Sequence, residues 1–66
     1  MTIDQATAAY NAEIDLPHGA IYAAAVRRFQ RGFIKDRVCT DIDEAFARAV
    51  DACQRLIPVF RLQAAA

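Results

Sequence analysis

Fifteen of the 66 residues are alanine, and that one feature sets the terms on which this chain can fold. Alanine has the highest helix propensity of any residue and removes little apolar area from water when buried. Helices are therefore favoured, but their core must come from few large side chains. Those are four Phe, two Tyr, no Trp and a modest set of Ile, Leu and Val. The hydrophobic fraction of 56% is thus generous in count and thin in area. A chain this short buries only about 60% of its unfolded surface. One domain spanning residues 1–66 is expected, with a core that a disulfide, a metal or a partner subunit would reinforce.

Three segments carry helical periodicity, which predicts an all-α, three-helix domain with an apolar C-terminal tail. The first opens at Thr2, with Gln5 three residues on, as a capping box requires. Ile3, Ala6, Tyr10 and Ile14 share one stripe, and Pro17 and Gly19 close the segment. The second starts near Pro17 or His18 and places Tyr22, Ala25, Val26, Phe29 and Phe33 on one face. Gly32 either ends this helix in a left-handed cap or sits inside it at a cost of about 1 kcal/mol. The pattern favours an end near Gly32, followed by an irregular link through Val38.

The third segment is the clearest. Thr40 is the expected N-cap, and Asp41, Asp43 and Glu44 put negative charge at the positive end of the helix dipole. Ile42, Ala45, Phe46, Ala49, Val50, Cys53, Leu56 and Ile57 form a wide apolar arc, with Phe46 at its centre. The opposite face pairs Glu44 with Arg48 and Asp51 with Arg55 at the favourable i,i+4 spacing. Pro58 is read as ending or kinking this helix. The tail beyond it, with Val59, Phe60 and Leu62, must pack back on the helices or against another chain.

The chain's formal charge is zero, so no global field draws it to nucleic acid or membrane. The distribution is uneven. Residues 1–26 carry Asp4, Glu13 and Asp15 and no Lys or Arg, whereas residues 27–37 carry Arg27, Arg28, Arg31, Lys35 and Arg37 against Asp36 alone. Opposite charge in adjacent segments is what a partner contact can use. The longest uncharged stretch, Leu16–Val26, is too short to cross a bilayer and is interrupted by Pro17 and Gly19. With no basic, apolar leader at the N-terminus, a cytoplasmic protein without membrane contact is expected.

The catalytic inventory is sparse. There is no Ser, and the one His, His18, sits at a helix junction where a half-exposed side chain is the simplest expectation. Glu13 and Asp15 lie near it in sequence, so a His–carboxylate pair can be formed, but no nucleophile accompanies it. Two Cys and one His lack zinc-site spacing, and the isolated glycines form no phosphate loop, so no metal or cofactor is expected. Cys39 and Cys53 stand roughly 20 Å apart along the third helical segment, too far for a disulfide. Cys53 reads as a small core residue. Cys39 reads as an inert thiol, with exposure or an intermolecular contact as the alternatives.

These features point to a non-catalytic protein-binding module that also self-associates. Stand-alone helical chains of this size serve as adaptors, inhibitors or regulatory subunits, an expectation that rests on fold analogy. The expected partner is another protein, a second copy of this chain, or both. Its contact residues are expected among Arg27, Arg28, Arg31, Lys35 and Arg37, with Phe33, Phe60 and Leu62 as apolar anchors. The alternative is a nucleic-acid-binding regulator whose stripe Arg27, Arg28, Arg31 and Lys35 meets phosphates. The acidic start of the third helix, with Asp43, Glu44 and Ala47 taken as exposed, opposes standard major-groove reading.

Overall fold

A computed structural model describes all residues, 1–66, and is entirely helical outside its turns. There are four helices: α1 (Ile3–Ile14), α2 (Gly19–Lys35), α3 (Ile42–Gln54) and α4 (Ile57–Ala65). The all-α expectation holds, but the tail is a fourth helix rather than an appendage.

Local chemistry explains where α1 and α3 begin. The Thr2 hydroxyl accepts the Gln5 amide at 3.1 Å, and the Gln5 side chain accepts the Thr2 amide at 2.9 Å. This is the reciprocal box expected from the sequence. In α3 the cap is Asp41, not Thr40; its Oδ1 accepts the Asp43 amide at 3.2 Å. Asp43 and Glu44 then occupy the first turn, facing the positive end of the dipole.

Two expected breakers behave differently in context. Gly32 lies inside α2, which runs on to Lys35. Stopping at Gly32 would leave Phe33 outside the helix, whereas continuing packs it on the core and 6.0 Å from the Phe29 ring. Fully burying a large apolar side chain contributes about 1.5–3 kcal/mol, so the half-burial of Phe33 is of the same order as the cost of one helical glycine, roughly 1 kcal/mol. The left-handed cap appears five residues later, at Arg37, with φ of 60°. The Val38 amide donates to the Phe33 carbonyl at 2.9 Å and the Arg37 amide to Ile34 at 3.1 Å. That pair of bonds is a Schellman closure built on arginine instead of glycine. Pro58 likewise starts a helix, because at the second position of α4 it lacks only an N–H that would have had no helical partner.

The core is organised around Tyr22, which is fully buried in α2. Its ring lies 5.9 Å from Tyr10 of α1 and 6.2 Å, edge-on, from Phe60 of α4. Its hydroxyl accepts a hydrogen bond from the Gln54 side chain of α3 at 3.2 Å. One side chain thereby touches all four helices. The pairing of Tyr22 with the end of α3, and of Gln30 with the Ile42 carbonyl at its start, makes α2 and α3 antiparallel. Buried alanines at positions 6, 45, 47 and 49 let the helices approach closely but fill little volume.

Several expected burial states change in this packing. Ala47 is buried, because α3 is flanked by both α1 and α2 and its covered face is wider than one stripe. Ile42 has the right phase for the core but is 65% exposed, at the edge of the α2–α3 interface beside Gln30 and Ile34. Phe46 is half-buried at the core's edge, 5.5 Å from the Tyr10 ring. Cys39 is buried, held where its amide donates to the Phe33 carbonyl at 3.2 Å, and both cysteines are free thiols.

The two glycines predict opposite responses to alanine. A Cβ at Gly32 meets nothing within 4 Å, so Gly32→Ala is expected to stabilise the fold by about 0.5–1 kcal/mol. A Cβ at Gly19 would collide with the backbone carbonyl of Ile14, so Gly19→Ala should force the α1–α2 turn apart. Urea midpoints of the two variants check this: a rise for Gly32→Ala and a large fall, or loss of folding, for Gly19→Ala.

Candidate protein-binding surface

The expected contact residues do not form one patch. On α2, Arg27, Arg31 and Lys35 follow each other at i,i+4 spacing along the outer face. They line a shallow groove with Gln30, Ile34 and Ile42. Gln30 crosses its floor to bond the Ile42 carbonyl, tying α2 to the start of α3. Ile34 and Ile42 are both exposed, so the groove combines fixed positive charge with apolar side chains.

Arg28 belongs to another face. It borders a second groove, between α2 and α4, with Ile21, Phe29, Leu56 and Phe60 among its walls. Arg37 stands beyond the end of α2 in the left-handed cap. Phe33 is half-buried against the core, and Phe60 is a core residue only 7% exposed, packed on Tyr22. Phe60 is therefore spent on folding and is not a free anchor. Leu62, on the opposite side of α4, is 73% exposed. Ile34 is among the apolar residues that the sequence leaves in surplus over what short helices can cover, and it is exposed here. Ile42 is the groove residue that sequence reasoning misses, because its phase assigns it to the core.

The electrostatics distinguish the basic face from the rest of the surface. Three ion pairs exist: His18 with Glu13, Arg48 with Glu44 at 3.4 Å, and Arg55 with Asp51 at 3.8 Å. The latter two are the expected i,i+4 pairs, exposed and worth only a few tenths of a kcal/mol each, roughly. Arg27, Arg28, Arg31, Lys35 and Arg37 take part in none of them. The positive charge concentrated in residues 27–37 is thus not neutralised within the chain.

His18 is the largest departure in the expected site chemistry. Its side chain is buried, with the residue 3% exposed, and its Nε2 meets Glu13 Oε2 at 2.5 Å across the α1–α2 turn. The half-exposed histidine expected at this junction is instead enclosed by the turn. No group of three or more His, Cys, Asp or Glu side chains converges in a way that could hold a metal ion. No helix is long and apolar enough to cross a membrane.

Comparison with known protein families, curated proteins and solved structures finds nothing that matches this chain.

Two buried acids give the fold a defined alkaline limit. Burial pushes the Tyr22 hydroxyl from 10.0 up to about 12, helped by the neighbouring Cys53, Glu13 and Tyr10. Burial also pushes the Cys53 thiol from 9.0 up to about 11. Each group is neutral when protonated, and the folded state holds that proton more tightly than the unfolded chain. The contribution of these two groups is therefore fully present below pH 9 and is lost as pH rises, first across the Cys53 interval and then across that of Tyr22. Denaturant unfolding followed upward from neutral pH should show this decline. Tyr22→Phe and Cys53→Ala should each flatten it, whatever they cost at neutral pH.

Proposed function

We propose that this chain is a non-catalytic protein-binding module whose main contact is the α2 groove, and that it also self-associates. The observation that carries the first part is the composition of that groove. Arg27, Arg31 and Lys35 lack intramolecular partners and stand beside exposed Ile34 and Ile42. Such a surface fits an acidic, amphipathic segment of another protein. Carboxylates would meet the cations at the rim while an apolar side chain seats between the two isoleucines.

Nucleic acid fits the same surface less well. Exposed Ile34 and Ile42 gain nothing from phosphates, whereas an apolar side chain of a protein partner would cover them. Self-association has separate support. Helix α4 carries a single charge, Arg61, and leaves Val59 and Leu62 exposed on its outer side. A helix apolar on nearly every side is normally covered. A second copy presenting the same face would cover Val59 and Leu62. Adaptor, inhibitor and regulatory-subunit roles all suit a module of this kind.

The groove is tested by Arg27→Ala combined with Arg31→Ala, both exposed and remote from the core. The double variant should keep its helical circular dichroism and slow association with an acidic amphipathic peptide by about tenfold or more. Duplex DNA binding near physiological salt should be negligible in wild type and variant alike. Tight DNA binding, with a log–log salt slope that falls by about one per arginine removed, would transfer the function to nucleic acid.

Self-association is tested by sedimentation at micromolar concentration. Species heavier than the 7.3 kDa chain are expected, and Leu62→Glu should return them to monomer while leaving the fold intact. A monomer in both samples would remove this part of the reading.

A further inference from the structure

The buried His18 opens onto a pocket distinct from the α2 groove. Its Nε2 is taken by Glu13 from the last turn of α1. Its Nδ1 makes no hydrogen bond within the chain, and the side chain does not cap α2 although His18 is the N-cap residue. No fully buried side-chain nitrogen or oxygen lacks a partner, so Nδ1 keeps some contact with solvent. His18 is one of the residues lining a pocket of about 430 Å³ where α4 passes the α1–α2 turn. Leu16, Pro17, Ala64 and Ala65 supply apolar walls, and Arg61 supplies the one formal charge. Arg61 is exposed and has no intramolecular carboxylate partner.

These groups define a ligand chemistry. Arg61 offers a fixed cation with a planar donor fork suited to a carboxylate. Helix α2 begins without a side-chain cap or an acidic first turn. A doubly protonated ring, balanced by Glu13 at Nε2, presents Nδ1–H as a second donor. Glu13 from α1 and Arg61 from α4 are the charged groups that bear on the ring, and neutral Tyr22 stands one turn along α2. The remaining walls accept hydrocarbon.

We propose that this pocket binds a carboxylate carrying a short apolar chain. The carboxylate bridges Arg61 and Nδ1 of His18, and the chain lies against Leu16, Pro17 and Ala64. A free short-chain acid and the C-terminal carboxylate of an apolar peptide present the same chemistry.

Calorimetry and nitrogen-detected NMR on the full chain, with hexanoate, hexanol and N-acetyl-alanyl-leucine as probes, test the proposal and separate the two sources. Saturable binding of hexanoate is expected for a free acid, and of the capped dipeptide alone for a peptide terminus. In either case the His18 ring nitrogens shift. Arg61→Gln should weaken binding by about tenfold or more, Arg61→Lys should restore part of it, and hexanol should not compete. Arg27→Ala with Arg31→Ala should leave it unchanged, which keeps this site's fate independent of the α2 groove. Equal binding of hexanol, indifference to Arg61→Gln, or no saturable shift with either carboxylate would overturn it.

Discussion

The contact on which the rest depends is the burial of one tyrosine. Tyr22 brings an aromatic ring to the meeting point of four helices and closes it with a hydroxyl bonded to Gln54. Among fully buried side chains it is accompanied only by Val26, Val50 and Cys53 as sizeable groups. The alanine interfaces around it let backbones approach but contribute little apolar area of their own. Cohesion therefore concentrates in a few aromatic and aliphatic contacts. The polar end of Tyr22 is satisfied where the chain has no spare stability to absorb an orphaned buried group.

A core this thin has consequences at the surface. Four helices of an alanine-rich chain cannot hide all of its larger apolar residues, and Ile34, Ile42, Val59 and Leu62 remain exposed. Two of them flank the unneutralised cations of α2, and two stand on the outer side of α4. Met1, Ile3, Leu16 and Val38 are exposed elsewhere, so it is the pairing of Ile34 and Ile42 with the α2 cations, and of Val59 with Leu62 on α4, that marks these two faces. That distribution is the physical basis for reading the chain as a module completed by a partner. The α1–α2 turn is organised differently. Close approach at Gly19 and the enclosed His18–Glu13 pair hold the first two helices together, while α4 passes over the same point and adds Arg61.

Much of the fold was legible because it rests on interactions three or four residues apart. The Thr2–Gln5 box, the acidic first turn of α3, the Glu44–Arg48 and Asp51–Arg55 pairs and the Tyr22–Val26–Phe29–Phe33 face all lie within a turn or two of chain. The basic stripe Arg27–Arg31–Lys35 was legible for the same reason, since a helix places i,i+4 neighbours together regardless of tertiary context. Arg28 was grouped with them by sequence proximity, but 100° of helical rotation and the placement of α4 put it beside a different groove. Phe60 looked available because nothing local could cover it; the covering group, Tyr22, is 38 residues away in sequence.

The sequence by itself determined that this protein is helical, where α1 starts, which face of α2 is apolar, and that its middle carries a band of positive charge. Propensity, capping and periodicity are local, so one chain read in order suffices for them. Tertiary structure decided whether Gly32 would end a helix, whether Pro58 would stop one or start one, and that His18 would be enclosed instead of solvated. For Gly32 and Pro58 a contact distant in sequence, the core under Phe33 or the seat for Phe60 on Tyr22, outweighed a local preference for a break; for His18 the turn itself folds Glu13, five residues earlier, onto the ring. Such preferences do not exceed the free energy of burying one aromatic ring, so the packing sets the outcome wherever the two disagree.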